Sequence, residues 1–141
     1  VSAYCVDGFF ASIESLAAYF RYSMAILDKP VRDSLFRTVE VYTKVRDSAP
    51  CHICGDAKIS RSVIADGCVI EGTVENSILF RGVHIGKNAV VKNSILFQNA
   101  DVGDRTSLDC VIADKEVIIR AGKTLSGCKE RPYFIPKDTA L

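Results

Sequence analysis

The 141-residue sequence predicts a mainly β protein: a β-helix of about four short coils, preceded by a β-hairpin and one α-helix. Three observations lead there. The pentapeptide NSILF occurs at residues 76–80 and again at 93–97, with diverged copies RSVIA at 61–65 and DCVIA at 109–113. The Ser or Cys of each copy (Ser62, Ser77, Ser94 and Cys110) recurs at nearly equal intervals. Each copy leads to a second apolar position and a small or polar turn, as in Ile85-Gly86-Lys87 and Val102-Gly103-Asp104.

Short strands separated by turns at six-residue intervals are the pattern of a hexapeptide β-helix. Three such faces close one triangular coil, and stacked coils cover one another's open strand edges. The branched residues Val63, Ile70, Ile78, Ile85, Ile95, Val102 and Val111 are expected to line the interior. Gly and Asn at the corners permit the tight bends. A β-sandwich would instead show wider, less regular spacing and hairpin turns.

The elements follow in order. Residues 1–13 alternate apolar and small residues around Asp7-Gly8, which reads as a hairpin. A hairpin needs a sheet to lie on, and the following residues supply none. With Val1 rather than Met at the start, this points to a chain cut from a longer protein. Residues 15–27 read as a helix with Ser15 as N-cap and Leu16, Tyr19, Phe20, Ser23, Met24 and Leu27 along one face. Its aromatics read as packing residues, and Pro30 is expected to end it. Residues 29–57 form a connector, with a short strand expected over 38–45. The β-helix spans 58–126. The tail, 127–141, either caps the helix or trails loose.

Composition bounds the function. Hydrophobic residues make up 48% of the chain, enough for a real core. The formal charge of +1 gives no basis for a nucleic-acid partner or an anionic membrane. No apolar run approaches a membrane span, and no basic-then-apolar leader is visible. Disulfide frameworks belong to short secreted chains with small cores. The six cysteines (Cys5, Cys51, Cys54, Cys68, Cys110 and Cys128) therefore read as reduced thiols in a cytoplasm. Cys51 and Cys54 flank His52 in CHICGD, but structural zinc needs four ligands, usually from two such pairs, and no second pair follows.

Candidate chemistry is sparse. Hexapeptide β-helices often belong to acyltransferases, in which a His acts as general base towards an acceptor hydroxyl. A hexapeptide acyltransferase using His84 is thus the rival reading. His84 lies in mid-repeat, its counterpart one copy later is Asp101, and no inserted loop stands beside it to wall a pocket. It reads as a surface residue. The chain shows no Ser-His-Asp pattern, no Walker-type loop and no dinucleotide fingerprint.

The connector YTKVRDSAP at 42–50 and the run SVIADGCVIEGTVENSILFRGVHIG at 62–86 resemble glucose-1-phosphate adenylyltransferase, the ADP-glucose pyrophosphorylase of glycogen and starch synthesis. The resemblance runs from Val1 to about Leu125. It implies that residues 1–28 are the end of a nucleotidyltransferase domain and that the β-helix is left-handed. In that family a Tyr-Ala-Tyr strand leads into Gly-Tyr-Trp-Arg-Asp-Val-Gly-Thr and a helix, and the Asp binds the catalytic Mg2+. The ungapped counterpart here puts Ser12 in place of that Asp and Glu14 in place of the Gly. A neutral hydroxyl does not neutralise a dication as a carboxylate does. A shifted alignment would offer Asp7 instead, at the cost of breaking the helix phase.

The resemblance thus implies a parent like the D-type subunit of bacterial glycogen synthesis. Such a subunit is a poor or inactive catalyst that assembles with a catalytic homologue. A hetero-oligomer, in the form of a tetramer, or self-association is expected. So is an absence of cofactor in this chain, with Mg2+ held by the catalytic partner. A sugar-phosphate nucleotidyltransferase of other specificity shares the architecture. In ADKEVIIRAG at 113–122, Lys115 stands where plant members use a Lys to bind a phosphorylated activator. Lys115 and Arg120 are the candidate effector-binding residues. Two solvated charges at a coil corner are the alternative.

Overall fold

The computed structural model describes residues 2–5, 8–37, 41–42 and 47–141. Among the described residues two short helices, α1 (Leu16–Ala25) and α2 (Lys29–Phe36), precede fifteen short strands. Five three-strand rungs follow one another. The first holds β1 (His52–Ile53), β2 (Lys58–Ser60) and β3 (Val63–Ile64); the second β4 (Val69–Ile70), β5 (Thr73–Glu75) and β6 (Ile78–Leu79). The third holds β7 (His84–Ile85), β8 (Val90–Lys92) and β9 (Ile95–Leu96); the fourth β10 (Asp101–Val102), β11 (Ser107–Asp109) and β12 (Val111–Ala113). The fifth holds β13 (Ile118–Ile119), β14 (Thr124–Ser126) and β15 (Tyr133–Ile135). Each strand pairs in parallel with its counterparts one rung away, giving three five-stranded sheets. This is the β-solenoid expected from the repeats.

The interior is one stack of apolar rows. Ile70, Ile85, Val102 and Ile119 line the first face, Val74, Val91 and Leu108 the second, and Leu79, Leu96, Ala113 and Ile135 the third, all buried. Three residues expected inside face the other way. Ile78 and Ile95 point outward with Ile112 and form a separate cluster with Phe20 and Leu27 of the helical segment. Val63, in register with them, is 37% exposed. Both positions of Ile78-Leu79 and Ile95-Leu96 are apolar because both sides of this sheet are covered, by the core and by α1.

The register also corrects the repeat alignment. Val63, Ile78, Ile95 and Ile112 are successive partners, so the first interval is the short one and the next two are equal. Cys110 therefore matches Asn93, not Ser94. Arg61, Asn76, Asn93 and Cys110 all have φ between 44° and 52°, the left-handed corner that turns the second face into the third. Ser62, Ser77 and Ser94 follow this corner. The Ser77 hydroxyl accepts from the Ser94 N–H (3.1 Å) and donates to the Glu75 carbonyl (2.8 Å). The Ser94 hydroxyl accepts from the Val111 N–H (3.1 Å) and donates to the Lys92 carbonyl (2.6 Å). Ser77 and Ser94 are fully buried. Side-chain oxygens thus bridge consecutive rungs at this corner.

The short interval from Val63 to Ile78 has a cause. The second rung turns from its first to its second face through Glu71-Gly72 alone, whereas the third uses the longer run 86–89. A Cβ on Gly72 would collide with the Ala89 carbonyl oxygen and lie 2.8 Å from that of Gly86.

The tail caps the solenoid. β15 adds to the third sheet, and residues 139–141 run beside β13, with Ile118 N–H donating to the Thr139 carbonyl and Leu141 N–H to that of Ile118, both 2.9 Å. The opposite end is more open. Ile53 occupies the same inward row as Ile119, yet is 53% exposed against 1%.

Upstream, α1 starts at Ser15, whose side chain accepts from the Ala18 N–H. Pro30 does not merely stop this helix; it lies in the first turn of α2, where its missing N–H costs nothing. Among the described residues the expected hairpin shows no strand; its turn residue Asp7 lies outside them. Residues 2–5 and 9–14 carry no strand, and Val1 and Val6 lie outside the described residues with Asp7. Without a sheet to receive it, such a ribbon has no stabilising face. Phe9 instead meets Tyr22 edge-on at 6.1 Å, and Phe10 is 78% exposed. Of the strand expected over 38–45, residues 38–40 and 43–45 lie outside the described set, and Val41 and Tyr42 carry no strand.

Replacing Gly72 by Ala is expected to cost about 1–3 kcal/mol, because the clash is with backbone. Gly55 occupies the corresponding turn one rung earlier with nothing within 4 Å of its Cβ position. Gly55→Ala is expected to stay within about 0.5 kcal/mol of the unmodified chain. Urea denaturation of the two variants measures the difference.

Candidate functional site

α1 crosses the third face of the solenoid and creates a groove on each side. Phe20, 3% exposed, anchors it over Ile95, Ile112 and Cys110. Burying such a ring contributes roughly 1.5–3 kcal/mol. On the side of the left-handed corner the groove measures about 580 Å³, as a cavity between helix and solenoid. Its floor is a carboxamide ladder. Asn76 Nδ2 donates to Asn93 Oδ1 (2.7 Å), and Asn93 Nδ2 donates to Asp109 Oδ1 (2.8 Å). Arg61 pairs with Asp28 across it, and Arg21, Lys129 and Glu130 stand at its rim. Both members of the Arg61–Asp28 pair are more than half exposed, so it adds at most about 1 kcal/mol.

On the other side α1 and α2 frame a smaller, apolar slot of about 360 Å³ lined by Tyr19, Phe36, Val63, Ala65 and Phe80. Phe80 and Phe97, on neighbouring rungs, stack at 4.7 Å and 6°. Tyr19 lies 6.3 Å from Phe97 at 22°. The helix aromatics are thus packing residues, as the sequence indicates.

The residues singled out by sequence are scattered. Ser12 is exposed, and its hydroxyl donates to Glu14 Oε1 at 2.7 Å. Lys115 lies in the turn between β12 and β13, where its N–H donates to Asp114 Oδ1 at 2.7 Å. Arg120 follows β13 at the next corner, its carbonyl accepting from Thr106 Oγ1 at 3.2 Å. Both side chains are exposed, and they stand at opposite ends of β13.

His84 is in register with Asp101, and its Nδ1 lies 2.8 Å from Asp101 Oδ1, while Nε2 lies 3.8 Å from Glu71 Oε2. The pair has the distance of a catalytic dyad. It nevertheless sits on the flat outer side of the first face, with the His side chain 43% exposed, and lines neither groove. A general base needs a wall to hold its substrate, and this face offers none among the described residues.

The cysteines are free thiols. Cys51 packs against the interior, while Cys54 Sγ lies 3.7 Å from His52 Nδ1 and 3.8 Å from Glu71 Oε1. Burial, and then the Glu71 carboxylate, push the Cys54 thiol up from its ordinary pKa. Burial does the same to Cys51, Cys68 and Cys110. Thiols held protonated are weak ligands and weak nucleophiles. Among the described residues no three His, Cys, Asp or Glu side chains converge as a metal site.

The profile of the GlmU-like, C-terminal hexapeptide family matches residues 51–130. The chain belongs to that family. It is 37% identical over 97% of its length to the glycogen biosynthesis protein GlgD of Bacillus subtilis (strain 168), covering 40% of that protein. It is 47% identical over 83% of its length to GlgD of Geobacillus stearothermophilus, covering 34%. The glucose-1-phosphate adenylyltransferase of Geobacillus stearothermophilus is 38% identical over 64% of the chain. This is therefore a GlgD-like chain related to glucose-1-phosphate adenylyltransferase, spanning well under half the length of these relatives. No helix among the described residues is long and apolar enough to cross a membrane.

Sequence reasoning missed both grooves of the GlgD-like chain. The Asn76 and Asn93 floor was visible in the repeated NSILF, but nothing local announced that α1 would lie beside it.

The raised thiol of Cys68 predicts an alkaline weakness. The unfolded thiol ionises from about pH 8.5 upward, while the folded one stays protonated to higher pH. The stability this contributes is present below that pH and is lost as pH climbs towards the folded value. Val occupies the same interior row at Val83 and Val117. Cys68→Val is therefore expected to shrink the fall in Tm between about pH 8 and 10, measured by thermal melts.

Proposed function

We propose that this chain is the C-terminal region of a catalytically impaired, regulatory subunit of a glucose-1-phosphate adenylyltransferase acting in bacterial glycogen synthesis. One observation carries the reading. At the position matching the family's Mg2+-binding Asp stands Ser12, exposed and spending its hydroxyl on Glu14. Ser12 supplies no charge, and Glu14 is one exposed carboxylate without converging partners among the described residues. The residues present do not fit the ion, so no metal-dependent step is assigned to them.

The solenoid supports the other half of the reading. Its flat outer faces and stacked rungs suit subunit contact better than catalysis. The first face carries the apolar Val69 and Ile118 outward beside His84 and Asp101. The proposal includes assembly with a catalytic homologue, as a hetero-oligomer in a cytoplasm, with that homologue holding Mg2+, as the resemblance of the sequence to the adenylyltransferase family implies. Lys115 and Arg120 are exposed cations at two corners of the capped end, where a phosphorylated effector bridging two subunits would meet them. The acyltransferase alternative through His84 lacks a substrate wall and is the weaker reading.

The test is activity with and without a partner. The full-length protein bearing this chain is expected to make no ADP-glucose from ATP and glucose 1-phosphate alone. It is expected to change the kcat or effector response of a catalytic homologue when the two are co-purified. Ser12→Asp in the full-length protein is expected to restore partial activity. Ordinary activity of the unmodified protein in the absence of any partner would contradict the reading.

A further inference from the structure

The serine column that fastens the corner between the second and third faces ends before the solenoid does. The hydroxyls of Ser62, Ser77 and Ser94 each accept an N–H of the next rung, from Ser77, Ser94 and Val111 in turn. Val111 takes the following place in the column and has no hydroxyl. The Tyr133 N–H, in register with it, donates to the Cys110 carbonyl instead (2.9 Å). Where the hydroxyl tether stops, the chain carries two thiols. Asp109 is in register with Ser126, which sets Cys110 opposite Gly127, and Cys128 is the next residue. The backbone folds out over 128–132 and returns at Tyr133. Bonds between Cys128 and Arg131 in both directions, 3.0 and 3.1 Å, close this fold-out.

The two thiols differ in access. Cys110 is 6% exposed and packs with Phe20, Ile95 and Ile112, whereas Cys128 is exposed. The charges of Asp109, Lys129 and Cys128 all reach the Cys110 sulfur. Strand partners such as Cys110 and Gly127 lie about 4.8 Å apart. A disulfide bridges Cα atoms about 4.4–6.8 Å apart, a span that extends to a neighbour on the fold-out. We propose that Cys110 and Cys128 form a reversible disulfide that fastens the fifth rung and its tail to the fourth. The exposed Cys128 thiolate attacks a low-molecular-weight disulfide, bonding one of its sulfurs and expelling the other as a thiol. Cys110 then attacks the Cys128 sulfur of this mixed disulfide and expels the second thiol. Two protein thiols and one small disulfide thus give one protein disulfide and two small thiols, which take both protons. The bond closes a loop over residues 110–128, one circuit of the solenoid, and holds Lys129 and Glu130 at the rim of the wider groove.

Incubation of the protein with oxidised glutathione, followed by N-ethylmaleimide and tryptic mass mapping, tests it. The expected product links the peptide 106–115 to the peptide 124–129. Its formation is expected to raise Tm by about 5–10 °C, and dithiothreitol is expected to reverse the rise. Cys110→Ser is expected to leave glutathione on Cys128, because no resolving thiol remains. Cys128→Ser alters an exposed side chain only. It is expected to leave Cys110 unmodified and Tm the same under oxidised glutathione and dithiothreitol. A disulfide joining any other pair of cysteines in place of this one would overturn the proposal. So would glutathione persisting on Cys128 beside a free Cys110 in the unmodified chain, or a Cys110–Cys128 link that leaves Tm unchanged.

Discussion

Everything in this protein hangs on rung-to-rung register. A strand this short has almost no stability of its own, and each one here is held by neighbours one rung above and below. At the flat faces backbone hydrogen bonds do this. At the corner between the second and third faces the chain adopts left-handed φ at Asn76, Asn93 and Cys110. Serine hydroxyls, fully buried, then carry the connection. Losing one of those oxygens would orphan a buried N–H, while the carbonyl of Glu75 or Lys92 keeps its bond from Asn93 or Cys110 N–H, at a cost of roughly 1–3 kcal/mol.

Because register is fixed, side chains accumulate in columns, and the columns make the surface features. Ile78, Ile95 and Ile112 become a hydrophobic rail on which Phe20 and Leu27 seat the helical segment. Asn76 and Asn93 become a ladder of carboxamides flooring one groove. Phe80 and Phe97 become a ring stack that ends abruptly over Ala65. His84 and Asp101 become a dyad-like pair for the same reason, which shows why their short distance is not evidence of catalysis. Stacking alone brings such residues together from successive rungs.

The repeats made the solenoid legible, since NSILF at two sites leaves few alternatives, and the Ser15 cap marked the start of α1. Where reading failed, the cause was local. DCVIA aligns with NSILF by its apolar run, yet the interval that carries Ile78 to Ile95 carries Ser94 to Val111, not to Cys110. Ile78 and Ile95 were assigned inward because a doubly apolar dipeptide does not say which residue faces the core. That same doubling was the signal that something covers the outside. Pro30 reads equally as a stop and as a first-turn residue. The opening hairpin was inferred from alternation alone, and strands exist only where a sheet receives them. Ser12 was legible only through resemblance, because no property of an isolated serine says that an aspartate belongs there.

The solenoid is asymmetric in the same terms. Its last rung is covered by the chain's own tail, through the strand-like run 139–141 beside β13, while Ile53 at the other end stays half exposed. Native-state hydrogen exchange measures this directly. If register-locked stacking is the source of stability, the amides of Ile78, Val90 and Val111 exchange slowest, through global unfolding. The amide of Ile118 then outlasts that of His52. Faster exchange at Val111 than at His52, or equal protection of the two ends, would contradict the account.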